Sequence, residues 1–281
     1  MILRERSTAK INELSPGHRK VARFILEKPR EAAFLTASQL GAHVGVSEAT
    51  VIRFAYTLGL SGYQELHQSI SHMLIDDLST LARLEKYRSS GKKGIFGTAM
   101  DKDINAMKMA QFRLDEKVLL DLAKTFVEAP AVYIAGYRSS YTLAYYLSFY
   151  LSWLLPAVKL MPLDSPYELL VNAPRESVVV GISFPRYSTW TVDVLRRAQE
   201  HNLQTVAITD EHTSPLANHA LHILAVPYSP ISFIDSFAAP MSVLNCIILS
   251  ISQQLGDKVT SLFETFEQYW KEQNLYEPPM L

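Results

Sequence analysis

The spacing of apolar positions changes near residue 130. Before that point they recur every three or four residues, the period of helices that bury one face. After it they come in short unbroken runs: AVYIAGYRSS with a strand over Val132 to Ala135, AVKLMPLD, SVVVGIS (177–183), TVAITD (205–210) and HILAVP (222–227). Helical stretches lie between the runs, one of them from about Thr189 to Glu200. A segment from Phe237 to Leu255 and a tail with Phe263, Phe266, Tyr269 and Trp270 read as two further helices. Continuous apolar strands alternating with helices predict a parallel sheet covered on both faces.

In the helical half, Ser15 and Pro16 read as the cap and first position of a helix that Lys28-Pro29 ends. Val21, Phe24 and Ile25 form its inner stripe, and His18, Arg19, Lys20 and Arg23 its basic side. Two short helices follow in TASQLGAHVGVSEATVIRFAYTLGL (36–60). Gly45 suits a C-cap, Ser47 an N-cap and Glu48 the positive helix end. Val51, Ala55 and Leu58 fall on one side of the second helix. Ser47, Thr50, Arg53 and Thr57 fall on the other. A short helix, a glycine turn and a second helix with a small polar and cationic face describe a helix-turn-helix DNA reader. An ordinary helical hairpin with a solvated face has the same period. Beyond it, Ser61 can cap another helix, and the backbone NH groups near Gly62 and Tyr63 could meet a phosphate.

A helix is expected from Glu65 to Lys86, with Leu66, Ile70, Met73, Leu74, Leu78 and Leu81 as its stripe. The aperiodic KYRSSGKKGIFGT then marks a connector. Met100 to Phe112 resumes a helix with Ile104, Met107 and Ala110 inward, and another runs from about Asp115 through Phe126. The expected division is residues 1–80 as an all-α domain, 81–100 as linker and 101–281 as an α/β domain.

Composition narrows the partners. A net charge of −1 excludes indiscriminate coating of nucleic acid, so DNA affinity must come from a local basic surface. The single cysteine, Cys246, excludes an intrachain disulfide and a cysteine-cluster zinc site, and is expected as a small buried hydrophobe. The first ten residues, MILRERSTAK, lack the apolar core of a signal peptide, and the most apolar run, Ser242 to Ile251, is short for a bilayer. A cytoplasmic protein with no membrane contact is expected.

Two loops leave strand ends carrying hydroxyls and one arginine each: Tyr137-Arg138-Ser139-Ser140 and Ser183-Phe184-Pro185-Arg186-Tyr187-Ser188. Ligands of open α/β sheets sit beyond the carboxyl ends of the strands. A helix N-terminus offers NH donors and positive potential, and arginine adds a forked cationic donor. An anion site at Arg138, Ser139, Ser140, Ser183, Arg186 and Ser188 is expected. Alternatively, the serines only cap helices and the arginines face solvent.

These motifs carry a family resemblance over nearly the whole chain. GHRKVARFILEKP and VGVSEATVIRFAYTLGLSGYQEL resemble the helix-turn-helix domain of the RpiR (MurR/RpiR) family of bacterial transcription regulators. AVYIAGYRSS, VVVGISFPRYS, TVAITD and SPLANHA resemble the SIS (sugar isomerase) domain that follows it. The resemblance implies an N-terminal helix-turn-helix and a flavodoxin- or Rossmann-like three-layer SIS domain. It implies DNA contacts from Ser47, Thr50 and Arg53, and matches Gly62, Tyr63 and Gln64 to the motif that follows. Tyr56 and Thr57 stand where the family often has a basic pair.

The SIS loops depart further. Arg138 stands at the second glycine of Gly-x-Gly-Ser-Ser. In Ser-x-Ser-Gly-x-Thr, Ser183 and Ser188 hold the end positions, Pro185 replaces the middle serine and Arg186 the glycine. Pro185 deletes a hydroxyl and an NH donor. The expected effector is therefore anionic, a phosphosugar or a carboxylate.

The function expected is a ligand-responsive regulator, commonly a repressor in this family, that binds an operator duplex as a homodimer or homotetramer and has no cofactor or metal. The SIS fold also serves sugar-phosphate isomerases. Glu168, His201, His212, His219 and His222 are the candidate acids and bases, and none lies in a recognisable catalytic pattern.

Overall fold

Ser15 starts the first helix, α1 (Pro16–Glu27): its hydroxyl accepts from the His18 amide, and Pro16 occupies a position that needs no NH partner. Lys28 ends it, and Pro29 opens a one-turn helix, α2 (Pro29–Ala32), absent from the expected pattern. In α3 (Ala37–Val44), Thr36 and Gln39 form a reciprocal capping box, and Gly45 closes the helix at φ 71°. Ser47 then caps α4 (Glu48–Thr57). Val21, Ile25, Leu40, Val51, Phe54, Ala55 and Leu58 meet in one core. Residues 63–67 are helical again.

The structure is a computed structural model that describes residues 14–33, 35–67, 69–70, 79–89, 94–164 and 167–277. The opening segment MILRERSTAK, and Met73, Leu74 and Leu78 of the expected stripe, lie outside those residues. The chain divides into two compact units. One comprises residues 1–99 with Asp210–Thr213 and Pro230–Asp235; the other comprises Met100–Thr209, Ser214–Ser229 and Ser236–Leu281.

The connector expected at 81–100 is helical at both ends, in α5 (Thr80–Ser89) and at the start of α6 (Ile95–Arg113). Apart from its glycines, its residues are ordinary helix formers, which polar composition alone does not reveal. A correction concerns α6. Ala110 is buried as expected, but Ile104 and Met107 are 43% and 38% exposed. Their flank of the helix meets too little of its own chain to be covered.

Next come α7 (Glu116–Glu128), β1 (Val132–Gly136), α8 (Tyr141–Leu154), β2 (Val158–Leu160), α9 (Tyr167–Val171) and β3 (Val178–Ile182). The chain continues with α10 (Thr189–Glu200), β4 (Gln204–Thr209), β5 (His222–Ala225), α11 (Ala238–Leu255) and α12 (Asp257–Glu272). The strands follow the apolar runs closely. They form one parallel sheet in the order β2-β1-β3-β4-β5. Ile134, Val180 and Ile208 face a core shared with α7, α8 and α11, while Tyr133, Val179 and Ala207 face one shared with α9 and α10. This is the three-layer α/β architecture expected. The apolar α11 belongs to the first core, burying Val243, Leu244, Ile247 and Ile251. Cys246 lies off that stripe and is exposed, contrary to expectation. One helix face is all the sheet can cover.

Candidate functional site

The second helix of the helix-turn-helix presents a connected polar row. Ser47 Oγ accepts from the Thr50 amide at 3.3 Å and lies 2.9 Å from Thr50 Oγ1. Arg53 Nη2 donates to Thr50 Oγ1 at 3.4 Å. Ser47 and Arg53 are exposed and Thr50 is half-buried, while Val51, Phe54 and Ala55 hold the helix from behind. The row is set by spacing: positions 47, 50 and 53 climb one side of a helix whose other side is core.

Two close approaches at glycines flank this helix. A Cβ on Gly41 would lie 2.8 Å from the Val46 carbonyl oxygen, so α3 and the turn meet at a distance only glycine permits. A Cβ on Gly17 would lie 3.2 Å from Thr50 Cγ2, which brings the start of α1 beside the row. There His18 sits edge-on to Phe54 at 5.7 Å. Its pKa is lowered, first by burial and then by the Arg53 charge. Arg19, Lys20 and Arg23 are exposed along α1 and line a groove of about 530 Å³ with Phe24 and His43.

The remaining expected DNA contacts are more engaged. Thr57 is exposed, but its hydroxyl donates to the Arg53 carbonyl at 3.0 Å. Tyr63 donates its hydroxyl to the Leu35 carbonyl at 2.7 Å, which ties the following helix back to the loop before α3. Gly62 takes φ 153° and Gln64 is exposed. At Ser61 the observed link runs from its amide to Glu65 Oε2 at 2.7 Å.

In the α/β unit, β1 and β3 are adjacent and in register, Ala135 beside Gly181 and Gly136 beside Ile182. The order 2-1-3-4-5 places the topological switch point between them, where connections leave to opposite sides and open a crevice. Both loops expected to bind an anion leave the sheet there. A Cβ on Gly136 would come within 2.7 Å of the Ser140 carbonyl oxygen, so glycine is required where β1 enters its turn. Arg138 follows at φ 57° and is exposed, as is Ser139, while Ser140 is buried. In the β3 loop, Ser183 is buried and its Oγ accepts from the Ser188 amide at 3.0 Å, closing the loop on itself. Arg186 is exposed, at φ 22°. Both arginines thus hold backbone conformations that favour glycine, at the two positions where the resembled motifs have one. The loops keep the glycine geometry and add a cation.

Beside the β3 loop, Tyr167, Tyr187, Trp190, Asp193, Arg196 and Pro215 line a cavity of about 570 Å³. Arg197 lies over the Tyr167 ring at 4.2 Å. Its Nε donates to Asp193 Oδ2 at 2.9 Å. Burial pushes the Asp193 carboxyl up, but hydrogen bonds from Tyr167, Arg197 and Arg196 outweigh it and hold its pKa at about 2. Sequence reading missed this network, although Arg196 and Arg197 at i+3 and i+4 from Asp193 are its visible signature. A carboxylate whose folded pKa lies below its ordinary value stabilises the fold above that ordinary value and loses the contribution as pH falls through the folded one. The melting-temperature gap between the protein and Asp193→Asn should therefore be full at neutral pH and close between about pH 4 and pH 2. Thermal melts at stepped pH would read it.

The candidate acids and bases of an isomerase are dispersed. Glu168, His201, His212 and His222 are exposed, and His219 Nδ1 lies 3.1 Å from Gln199 Oε1.

Comparison with known proteins finds the same two domain types in the same order. Residues 1–76 match the model of the rpiR-family helix-turn-helix domain, and residues 125–250 that of the SIS domain. An HTH-type transcriptional regulator of Caldanaerobacter subterraneus is 25% identical over 278 residues, covering 94% of this chain and 93% of that protein. The HTH-type transcriptional regulator HexR of Pseudomonas aeruginosa is 26% identical over 138 residues, 49% of this chain and 48% of its own. The fold matches Vibrio vulnificus NanR complexed with ManNAc-6P at a TM-score of 0.58 and 16% identity, over 97% of this chain and 98% of that one. It also matches the sugar isomerase domain of an RpiR transcription factor from Sphaerobacter thermophilus, at 0.57 and 20% identity over 60% of this chain and 96% of that one.

Proposed function

Because the chain belongs to the RpiR family, an rpiR-type helix-turn-helix followed by a SIS domain, we propose that it reads an operator sequence and releases or grips it according to a small anionic metabolite. The observation that carries the DNA half is the hydrogen-bonded Ser47-Thr50-Arg53 row on the second helix of the helix-turn-helix, with Ser47 and Arg53 exposed. A helix of this length enters the major groove with such a row against base edges. Thr57, Gly62, Tyr63 and Gln64 flank it. The basic side of α1 meets phosphates, which fix register without reading sequence.

The effector site is the switch-point crevice between the loops of Arg138-Ser139-Ser140 and Ser183-Arg186-Ser188. NanR's ManNAc-6P makes phosphosugars the first ligands to test. The two arginines favour a ligand that carries more negative charge than one phosphate, or a carboxylate in its place. The protein acts in the cytoplasm as a homodimer or homotetramer, as a regulator and not an isomerase, and repression is the expected sense. A ligand regulates only if it binds the DNA-competent and incompetent states unequally.

The test begins with selection of a bound duplex from a random pool. Arg53→Ala should then weaken that duplex about 10- to 100-fold, the worth of a bidentate base contact, with an unchanged melting temperature. Unchanged affinity would remove Arg53 from the reading face. Calorimetry with phosphosugars and small carboxylates then identifies the ligand class.

A further inference from the structure

The β3 loop runs straight into α10, which opens on Thr189 and Trp190. The buried stripe of this helix is Thr191, Val194, Leu195 and Ala198, so Trp190 falls off it and stays 52% exposed. Its ring stands edge-on to that of Tyr137 at 5.5 Å. Tyr137 is 3% exposed, and its hydroxyl donates to the Pro162 carbonyl at 3.2 Å, which fixes its ring. Tyr137 is also the residue before Arg138, while Tyr187 follows Arg186. Aromatic side chains therefore adjoin both arginine-bearing turns, and one contact joins the start of α10 to the turn after β1.

Trp190, Tyr167 and Tyr187 line the cavity of about 570 Å³. Small-molecule sites enclose about 300–1,000 Å³. The charged groups of its wall are committed to one another. Asp193 Oδ1 accepts from Arg196 Nε at 3.0 Å and Oδ2 from Arg197 Nε at 2.9 Å, and Tyr167 bonds the same carboxylate. Arg196 also pairs with Glu200. Two arginines and two carboxylates balance, so this wall has no net pull on an anion. A carboxylate engaged by three side chains also has little left to accept from sugar hydroxyls. What the cavity offers a guest is aromatic surface, and the charge that would hold an anion stands beside it, on Arg138 and Arg186.

We infer that the effector is a ring-bearing anion: its phosphate or carboxylate meets Arg138 and Arg186, and its planar unsaturated ring packs on Trp190 in the aromatic cavity. This rests on the anion site proposed above and narrows its ligand class. The arginines hold any small anion, and the ring selects among them, because stacking and burial against Trp190 are available only to a ligand that carries one.

The test is calorimetry on the full chain with probes matched in charge, phenyl phosphate against methyl phosphate and benzoate against acetate. In at least one pair the ring-bearing probe should bind about tenfold tighter or more, the scale of one stacked ring. The pair that responds tells phosphate from carboxylate. Trp190→Ala should erase the preference and leave the ringless anion's affinity unchanged, while Trp190→Phe keeps most of it. Equal affinities within both pairs overturn the inference, as does ManNAc-6P binding tighter than either ring-bearing probe. A preference that survives Trp190→Ala overturns the placement of the ring. Loss of the ringless anion in that variant makes Trp190 structural and overturns it as well. A chain that binds none of these probes instead sinks the anion site itself, and the inference with it.

Discussion

Gly41→Val should abolish operator binding and unfold the helix-turn-helix. An ideal Cβ at position 41 lies 2.8 Å from the Val46 carbonyl oxygen, 3.2 Å from the Ser47 carbonyl carbon and 3.3 Å from the Glu48 amide nitrogen. All three are backbone atoms, so no side chain can swing away. Overpacking of this kind costs about 1–3 kcal/mol or more, and valine adds two further methyls. The strain falls on the turn that aims Ser47, Thr50 and Arg53. Gly45→Ala is the contrast. A Cβ there has open space around it, and only the left-handed φ of 71° resists, so the loss should be about 1 kcal/mol. Calorimetric melts and duplex titration of both variants read the difference. Equal effects would mean that the close approach does not organise the reader.

Arg138→Gly combined with Arg186→Gly should leave the fold as stable as before, or slightly more so, and lower affinity for the anionic effector by about 100-fold or more. Two effects on stability oppose each other. A non-glycine residue in the left-handed region is strained by about 1–2 kcal/mol, which glycine relieves. Glycine also gives the unfolded chain more freedom, which returns about 0.5–1 kcal/mol. The stability change is thus small and of favourable sign. The binding change is large, because hydrogen bonds to charged groups are worth about 1.5–3 kcal/mol each. Chemical denaturation and calorimetry measure the two independently. A clear loss of stability would make the arginines structural. Tighter binding would mean that backbone amides alone hold the anion and the arginines obstruct it.

Much of this was legible because it is local. The Gly45 stop and the Ser47 cap act within four residues of sequence, so reading them needs no partner. The strands were legible for a related reason: a strand buried on both faces has no polar positions to obscure it. What failed depends on distant partners. Ile104 and Met107 have the right period for burial, but period does not say whether a neighbour is there. Cys246 lies within an apolar run, yet the sheet covers only the stripe beside it. The Tyr63 hydroxyl finds Leu35, 28 positions away, which no spacing rule anticipates. The candidate site was half visible. Its loops could be named from residue types, but their meeting at the switch point requires the strand order. The positive φ at Arg138 and Arg186 requires the backbone itself.

The sheet ends in stubs. β2 spans three residues and β5 four, so neither border offers a ladder long enough to template another chain. Growth by edge-to-edge addition is disfavoured at both borders. Among the described residues, the open apolar surface stands instead on helices, at Ile104, Tyr145, Phe149 and Leu249.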